Sequence, residues 1–336
     1  MPTPERYGYA TARIRAMERR FVDQGVLQRM LDAEDLSSAL KVLGETAYAP
    51  WLAEMKSERD FDRPISSEMF YCYEEVRQFV PDPEMGQLLR ITYDFHNIKV
   101  ILKSMLRHRR GQSRRWDLLT NLASRETDDL LAAMESEDYR LLPYGLSGVM
   151  GECLSIWEQT QDIVEVEKRL DAQLFRALGD LAKATAFPGV LRWFRARVDA
   201  ENIRNLLRLR RAGEEGVKIS EFLHEGGNVS LERLVDLGSE PVESWSRVLH
   251  YADVAPYLAE MGEQGSSEAM LVMLEKALDD YISGMLAPFS HTPFAPENVL
   301  RFLWSKEIET KNVRIVLVSK TSGLDRDMVR KVLRRV

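Results

Sequence analysis

Asp94, Asn97 and Lys99 set a carboxylate, an amide and a base close together, and the trio recurs as Asp199, Asn202 and Arg204 and again as Glu309, Asn312 and Arg314. A carboxylate and a base that near could relay a proton or hold a charged ligand, so acid–base chemistry is the first reading to weigh. Copying argues against it. A catalytic carboxylate would seldom be kept three times in one chain, whereas a structural polar contact would be, because every copy has the same packing problem. On a helix the acid and the Asn, three residues apart, share a face, while the base lies off to one side. Two readings stay open: hydrogen bonding or ion pairing inside the protein, the acid holding an adjacent helix or a neighbouring unit's basic residue, or direct contact with a partner.

The full phrase is acid-x-x-Asn-β-branched-base-x-x-Leu. The Asn residues are 105 and 110 positions apart in a chain of 336. Such a period predicts three similar units, which we place at residues 1–111, 112–213 and 214–336. A second landmark agrees. Glu167-Lys168-Arg169-Leu170-Asp171 lies 35 residues ahead of Asn202, and Glu275-Lys276-Ala277-Leu278-Asp279 lies 37 ahead of Asn312. The first unit has no clear match to this landmark. Each phrase is followed by a glycine, Gly111, Gly213 or Gly323, which suits a helix C-terminus.

Helical periodicity and punctuation dominate and strand signals are nearly absent, so the fold class expected is all-α. Tyr7, Ala10, Ile14, Met17 and Phe21 mark the apolar stripe of a first helix. Short helices are expected over about 26–31, 36–43 and 50–56. Long ones are expected over 83–110, 153–183, 188–211, 267–286 and 296–320. Three units of small helices followed by long ones, related by a pseudo-threefold axis, would make a funnel or cup. Unit junctions are expected near Gly111-Gln112-Ser113 and Gly213-Glu214-Glu215-Gly216.

Composition narrows the function. With 53 acids against 46 bases the formal charge is −7, which argues against a general nucleic-acid binder. Local basic runs supply Arg107, Arg109, Arg110, Arg210 and Arg211. They sit at helix ends, where cations complement the helix dipole, or else they face an anionic partner. Charge is scarcest over 141–151 and 281–296. There Leu146, Val149, Met285 and Phe289 either meet a greasy partner or fill buried turns. No phosphate loop or dinucleotide fingerprint occurs, so no nucleotide is expected to bind. His96, His108, His224, His250 and His291 are scattered without metal-ligand spacing, and no metal or cofactor is expected. Cys72 and Cys153 read as buried small hydrophobes in a reducing compartment. No secretory signal or membrane span is evident.

The chain resembles the C subunits of the V-type (A-type) ATPases and ATP synthases, a family related to the d subunits of the eukaryotic enzymes. The resemblance rests on the run from Tyr7 through Gly8, Tyr9, Ala10, Thr11, Ala12, Arg13, Ile14, Arg15, Ala16 and Met17 to Glu18, and on Tyr93-Asp94-Phe95-His96-Asn97-Ile98-Lys99. The C-terminal phrase from Lys306 to Arg314 and the stretch Leu43 to Tyr48 carry the rest. It implies an all-helical, non-catalytic funnel, peripheral on the cytoplasmic face of the membrane. Its partners would be the proteolipid rotor ring, the central-stalk shaft subunits and the membrane stator subunit. Without the resemblance, a helical scaffold or adaptor unrelated to a rotary motor would be the reading, since repeated helical modules present binding surfaces.

Overall fold

The computed structural model describes residues 4–213, 217–262 and 266–336. Glu214, Glu215 and Gly216, at the second expected junction, lie outside the described residues. Helices account for the regular structure, with no strand among the described residues. In chain order they are α1 (Gly8–Met17), α2 (Gln24–Asp32), α3 (Leu36–Leu43), α4 (Ala49–Ala53), α5 (Asp62–Phe79), α6 (Pro83–Arg109), α7 (Thr127–Glu135), α8 (Leu146–Thr160) and α9 (Ile163–Thr185). They continue with α10 (Pro188–Arg211), α11 (Val217–Ser220), α12 (Leu231–Gly238), α13 (Trp245–Val248), α14 (Ala255–Ala259), α15 (Ser267–Leu286), α16 (Glu297–Ser322) and α17 (Arg326–Val332).

Local chemistry explains several boundaries. Asp23, Asp35, Asp162 and Ser230 each accept a backbone N–H from the first turn of the helix they precede. Gly111, Gly213 and Gly323 take φ of 73°, 79° and 64° after α6, α10 and α16, the left-handed conformation expected from the repeat. Two sequence expectations need correction. The helix expected over 153–183 is two helices, because Gln161 turns left-handed at φ 55° and Asp162 then caps the new helix, with Val164 N donating at 2.8 Å. Helix α5 has no counterpart among the expected helices, although Ile65, Met69, Cys72, Tyr73 and Val76 line its buried face at helical spacing.

Two compact units emerge: the chain up to Pro83 packs with Arg195–Val336, and Glu84–Phe194 makes the other. In the first unit α16 is central, packed by α1, α2, α3, α5, α15 and α17. Phe302, Leu303, Trp304, Ile308, Val313, Val316 and Leu317 are buried along it. A helix buried over most of its circumference must be surrounded, and its buried Lys306, Glu309 and Asn312 must find partners inside. One core cluster joins Val22, Met30, Leu31, Leu43, Tyr48 and Phe61 to Val313, Val316, Leu317 and Val329, so the beginning and end of the chain share an interior. In the second unit α8 buries Leu146, Val149, Met150 and Cys153 at positions i, i+3, i+4 and i+7.

Candidate functional site

The three phrases lie on α6, α10 and α16, and their acids and asparagines are buried, with Asn97, Asn202 and Asn312 at most 1 % exposed. Each Asn makes the same double contact. Asn97 Nδ2 donates to Thr120 O at 2.9 Å, and Thr120 N–H donates back to Oδ1 at 2.9 Å. Asn202 does so with His224 at 2.8 and 2.7 Å, and Asn312 with Arg334 at 2.9 and 2.9 Å. The amide imitates one edge of a peptide, giving one donor and one acceptor to the backbone of a single residue. Among side chains of this length only Asn offers both, and pairing with an N–H and a C=O together fixes which way the amide points.

The acids hold a second stretch of backbone. Asp94 Oδ1 accepts from Ser124 N at 2.8 Å and Arg125 N at 2.9 Å, while Oδ2 accepts from Ser124 Oγ at 2.6 Å and the Tyr144 hydroxyl at 2.7 Å. Burial and the neighbouring carboxylate push Tyr144 up to about 12, so the phenol keeps its proton and donates. Asp199 Oδ1 accepts from Asn228 N at 2.9 Å and Val229 N at 3.0 Å, and Asn228 Nδ2 reaches Oδ2 at 2.9 Å. Burial lifts the Asp199 carboxyl above its ordinary value, with the amides of Val229 and Asn228 working against it. A Cβ on Gly227 would collide with Asp199 Oδ1, so only glycine lets the backbone come this close. Glu309 Oε2 accepts from Val22 N at 2.8 Å, and Oε1 from the Tyr48 hydroxyl at 2.8 Å and Lys306 Nζ at 2.7 Å.

The bases turn to acids on other long helices. Lys99 meets Asp171 on α9 at 2.5 Å, Arg204 meets Glu275 on α15 at 2.9 Å, and Arg314 meets Asp62 on α5 at 2.6 Å. The Glu-Lys landmark is thereby explained, since Lys103 pairs with Glu167 as Arg208 pairs with Glu275. Beside the third phrase, Asp279 is bound by Lys311 at 3.0 Å and by Arg334 at 3.1 Å. Burial raises its carboxyl, but Lys311 and Arg334 outweigh burial and leave it below its ordinary 3.8. A depressed acid gives stability that is present above the unfolded value and lost as pH falls through the folded one. Acid unfolding below pH 3.8 should therefore be flatter in Asp279→Asn than in the parent; denaturation midpoints at about pH 5 and about pH 2 measure this, and equal slopes would refute it.

A buried charge cluster adjoins Glu309 and, among the described residues, has no counterpart beside Asp94 or Asp199. Lys306 Nζ lies 2.7 Å from Glu309 and 3.2 Å from Glu68, and Glu68 also takes Arg20 at 2.6 Å and Trp51 Nε1 at 2.9 Å. Nothing in the sequence singles out Arg20, Glu68 and Lys306 as a group. Cys72 neighbours Glu68, and burial pushes its thiol up to about 12, which leaves it unreactive. Among the described residues no group of three or more His, Cys, Asp or Glu could hold a metal ion.

The expected partner residues separate into two kinds. All five arginines are engaged within the chain: Arg107 with Ser113 O at 3.4 Å, Arg109 with Glu137 at 3.3 Å, Arg110 with Gln161 and the Trp157 ring, Arg210 with Gly238 O and Glu240 O, and Arg211 with Glu268 at 3.6 Å. Leu146 and Val149, considered as an outer greasy face, are 0 % and 4 % exposed and belong to the interior, because α8 turns its apolar stripe inward. Met285 and Phe289 are half-buried. Leu141, at 69 %, is the side chain of that first stretch that stands out.

Residues 10–332 match the family described as ATP synthase (C/AC39) subunit. The chain is 23 % identical over 327 residues to the C subunit of the V-type sodium ATPase of Enterococcus hirae, covering 96 % of each. It is 24 % identical over 350 residues to the C subunit of the A-type ATP synthase of Methanocaldococcus jannaschii, covering 97 % of this chain and 86 % of that one. A similar likeness, 24 % over 344 residues with 97 % and 94 % covered, relates it to the C subunit of the A-type ATP synthase of Methanococcoides burtonii. With the family matched over almost the whole length and the quoted phrases built into its helices, the chain belongs to the C subunit family of V/A-type ATP synthases.

Proposed function

We propose that this protein is the non-catalytic socket of a rotary V/A-type ATPase, joining the central stalk to the proteolipid ring at the cytoplasmic face of the membrane. The observation that carries the reading is how the buried polar groups are used. Asp94, Asp199 and Glu309, with Asn97, Asn202 and Asn312, spend their hydrogen bonds on backbone and on structural side chains of the same chain. Such ties stiffen helices against sliding, which is what a part that passes torque requires. The three-unit division and a pseudo-threefold cup belong to this proposal. So do the shaft subunits in the cup, the stator subunit beside it, and the stretches 141–151 and 281–296 at a ring-facing end. Among the described residues no helix is long and apolar enough to cross a membrane, so attachment would run through such surfaces.

The test is a mild-detergent pull-down of the tagged protein from its native membranes, with mass spectrometry of what accompanies it. Ring and stalk subunits in stoichiometric yield are expected. Recovery of soluble partners alone would overturn the socket and favour a helical adaptor.

A further inference from the structure

In the first two phrases the acid reaches forward along the chain to a small helix. Asp94 holds the amides of Ser124 and Arg125, just before α7, and Asp199 holds those of Asn228 and Val229, just before α12. Glu309 holds the amide of Val22, just before α2, at the other end of the sequence. We infer that residues 22–61, which the sequence repeat assigns to the unit at 1–111, are instead the small-helix part of the third copy, so that this copy is completed by the beginning of the chain and closed by a non-covalent clasp.

Two further kinds of tie obey the same permutation. The base two residues past the Asn pairs with the long helix that follows the small ones: Lys99 with α9, Arg204 with α15, and Arg314 with Asp62 at the start of α5. The residue eight past the Asn caps the small helix at its far end. Arg210 donates to Gly238 O and Glu240 O behind α12, and Lys320 Nζ donates to Leu31 O at 2.6 Å and Ala33 O at 2.7 Å behind α2. The first copy has Met105 there, and Arg114 meets Glu135 at the end of α7 instead. The local sequences agree as well, since α4 reads Ala-Pro-Trp-Leu-Ala and α14 reads Ala-Pro-Tyr-Leu-Ala.

The Asn contacts show where the join falls. Asn97 and Asn202 hold Thr120 and His224, and a short covalent run leads from those residues to the amides that the acids hold. Asn312 holds Arg334, but the matching amide belongs to Val22, with no such run between them. Here alone the acid is Glu, and here alone among the described residues a cluster of buried Lys306 and Glu68 with half-buried Arg20 reinforces it. What two copies secure by chain continuity, the third secures with charge.

A protease site placed in the exposed run from Lys56 to Asp60 tests this in the full chain. After cleavage the fragment ending there should remain bound on size exclusion, because its partners lie on α5, α16 and α17. The same cut in Glu309→Gln should weaken retention ~10- to 100-fold, the loss expected from one buried charge-assisted set of hydrogen bonds. Lys320→Met, a milder change at a partly exposed residue, should weaken it in the same direction, and Asp94→Asn should leave it unchanged. Loss of the fragment from the cut parent, or equal retention in the parent and in both Glu309→Gln and Lys320→Met, would overturn the inference.

Discussion

Replacing Lys306 by methionine should lower the unfolding free energy by roughly 3–5 kcal/mol, the range for removing one partner of a buried ion pair. Lys306 is 0 % exposed and lies against Glu309, Glu68 and the carbonyl of Arg20, with the Phe21 and Tyr48 rings 5.5 and 5.2 Å away. Burial drives its pKa down, but Glu309 and Glu68 more than restore it, and the ammonium ends above its ordinary 10.5. Methionine keeps the stem and removes the charge. Glu309 then holds only the Val22 amide and the Tyr48 hydroxyl, and Glu68 keeps Arg20 and Trp51. Adding Glu309→Gln to the same chain should recover part of the loss, because the residual buried charge is gone. A group raised in the folded state gives stability that is present below its unfolded value and lost above it. The cost of Lys306→Met should therefore be constant through neutral pH and shrink only above pH 10.5. Urea denaturation of the two single variants and the double one is the measurement, and a cost below about 1 kcal/mol would show that the cluster is relaxed by water.

Asn202→Ala should cost roughly 3 kcal/mol, since the N–H and C=O of His224 both lose their partner in the interior at about 1–3 kcal/mol each, less what relaxation recovers. Asn202→Asp is the sharper variant. It keeps an acceptor for the His224 N–H but sets a second oxygen against the His224 carbonyl, with a charge and no cation between them. Aspartate should therefore be at least as damaging as alanine at this position, although it is the closer match in shape. If aspartate proved milder in thermal and chemical unfolding, the two-way contact would not be what Asn202 is selected for.

The ease with which parts of this protein can be read from sequence follows where the information is carried. Helices α2, α3, α6, α10, α15 and α16 announce themselves through apolar period, capping residues and terminal glycines, and they form close to where those signals fall. The break between α8 and α9 does not, because Gln161 adopts a left-handed turn without being glycine. The phrase is visible as a repetition, and its bases find acids at the landmark that precedes the next phrase. Its acids and asparagines cannot be traced in the same way. Their partners are backbone groups of Thr120, His224, Arg334, Ser124, Asn228 and Val22, residues with nothing in common except an amide. Arg20, Glu68 and Lys306 meet only in the fold, since two of them precede the third by more than two hundred positions.

The tie between Glu309 and Val22 also decides how the molecule would answer a pull on its two ends. Force entering at either end loads the outer ties first, Tyr7 with Asp82 and Arg335 with Asp280, and then, alongside Lys306 with Glu68 and Lys320 with Leu31 and Ala33, reaches this contact. It spans 287 positions, roughly 1,000 Å of extended chain at about 3.4 Å per residue, against roughly 100 Å for the 30 positions between Asp94 and Ser124. Under tension the protein would thus hold until this whole group of contacts and the core they cover yield together, and would then release one long segment.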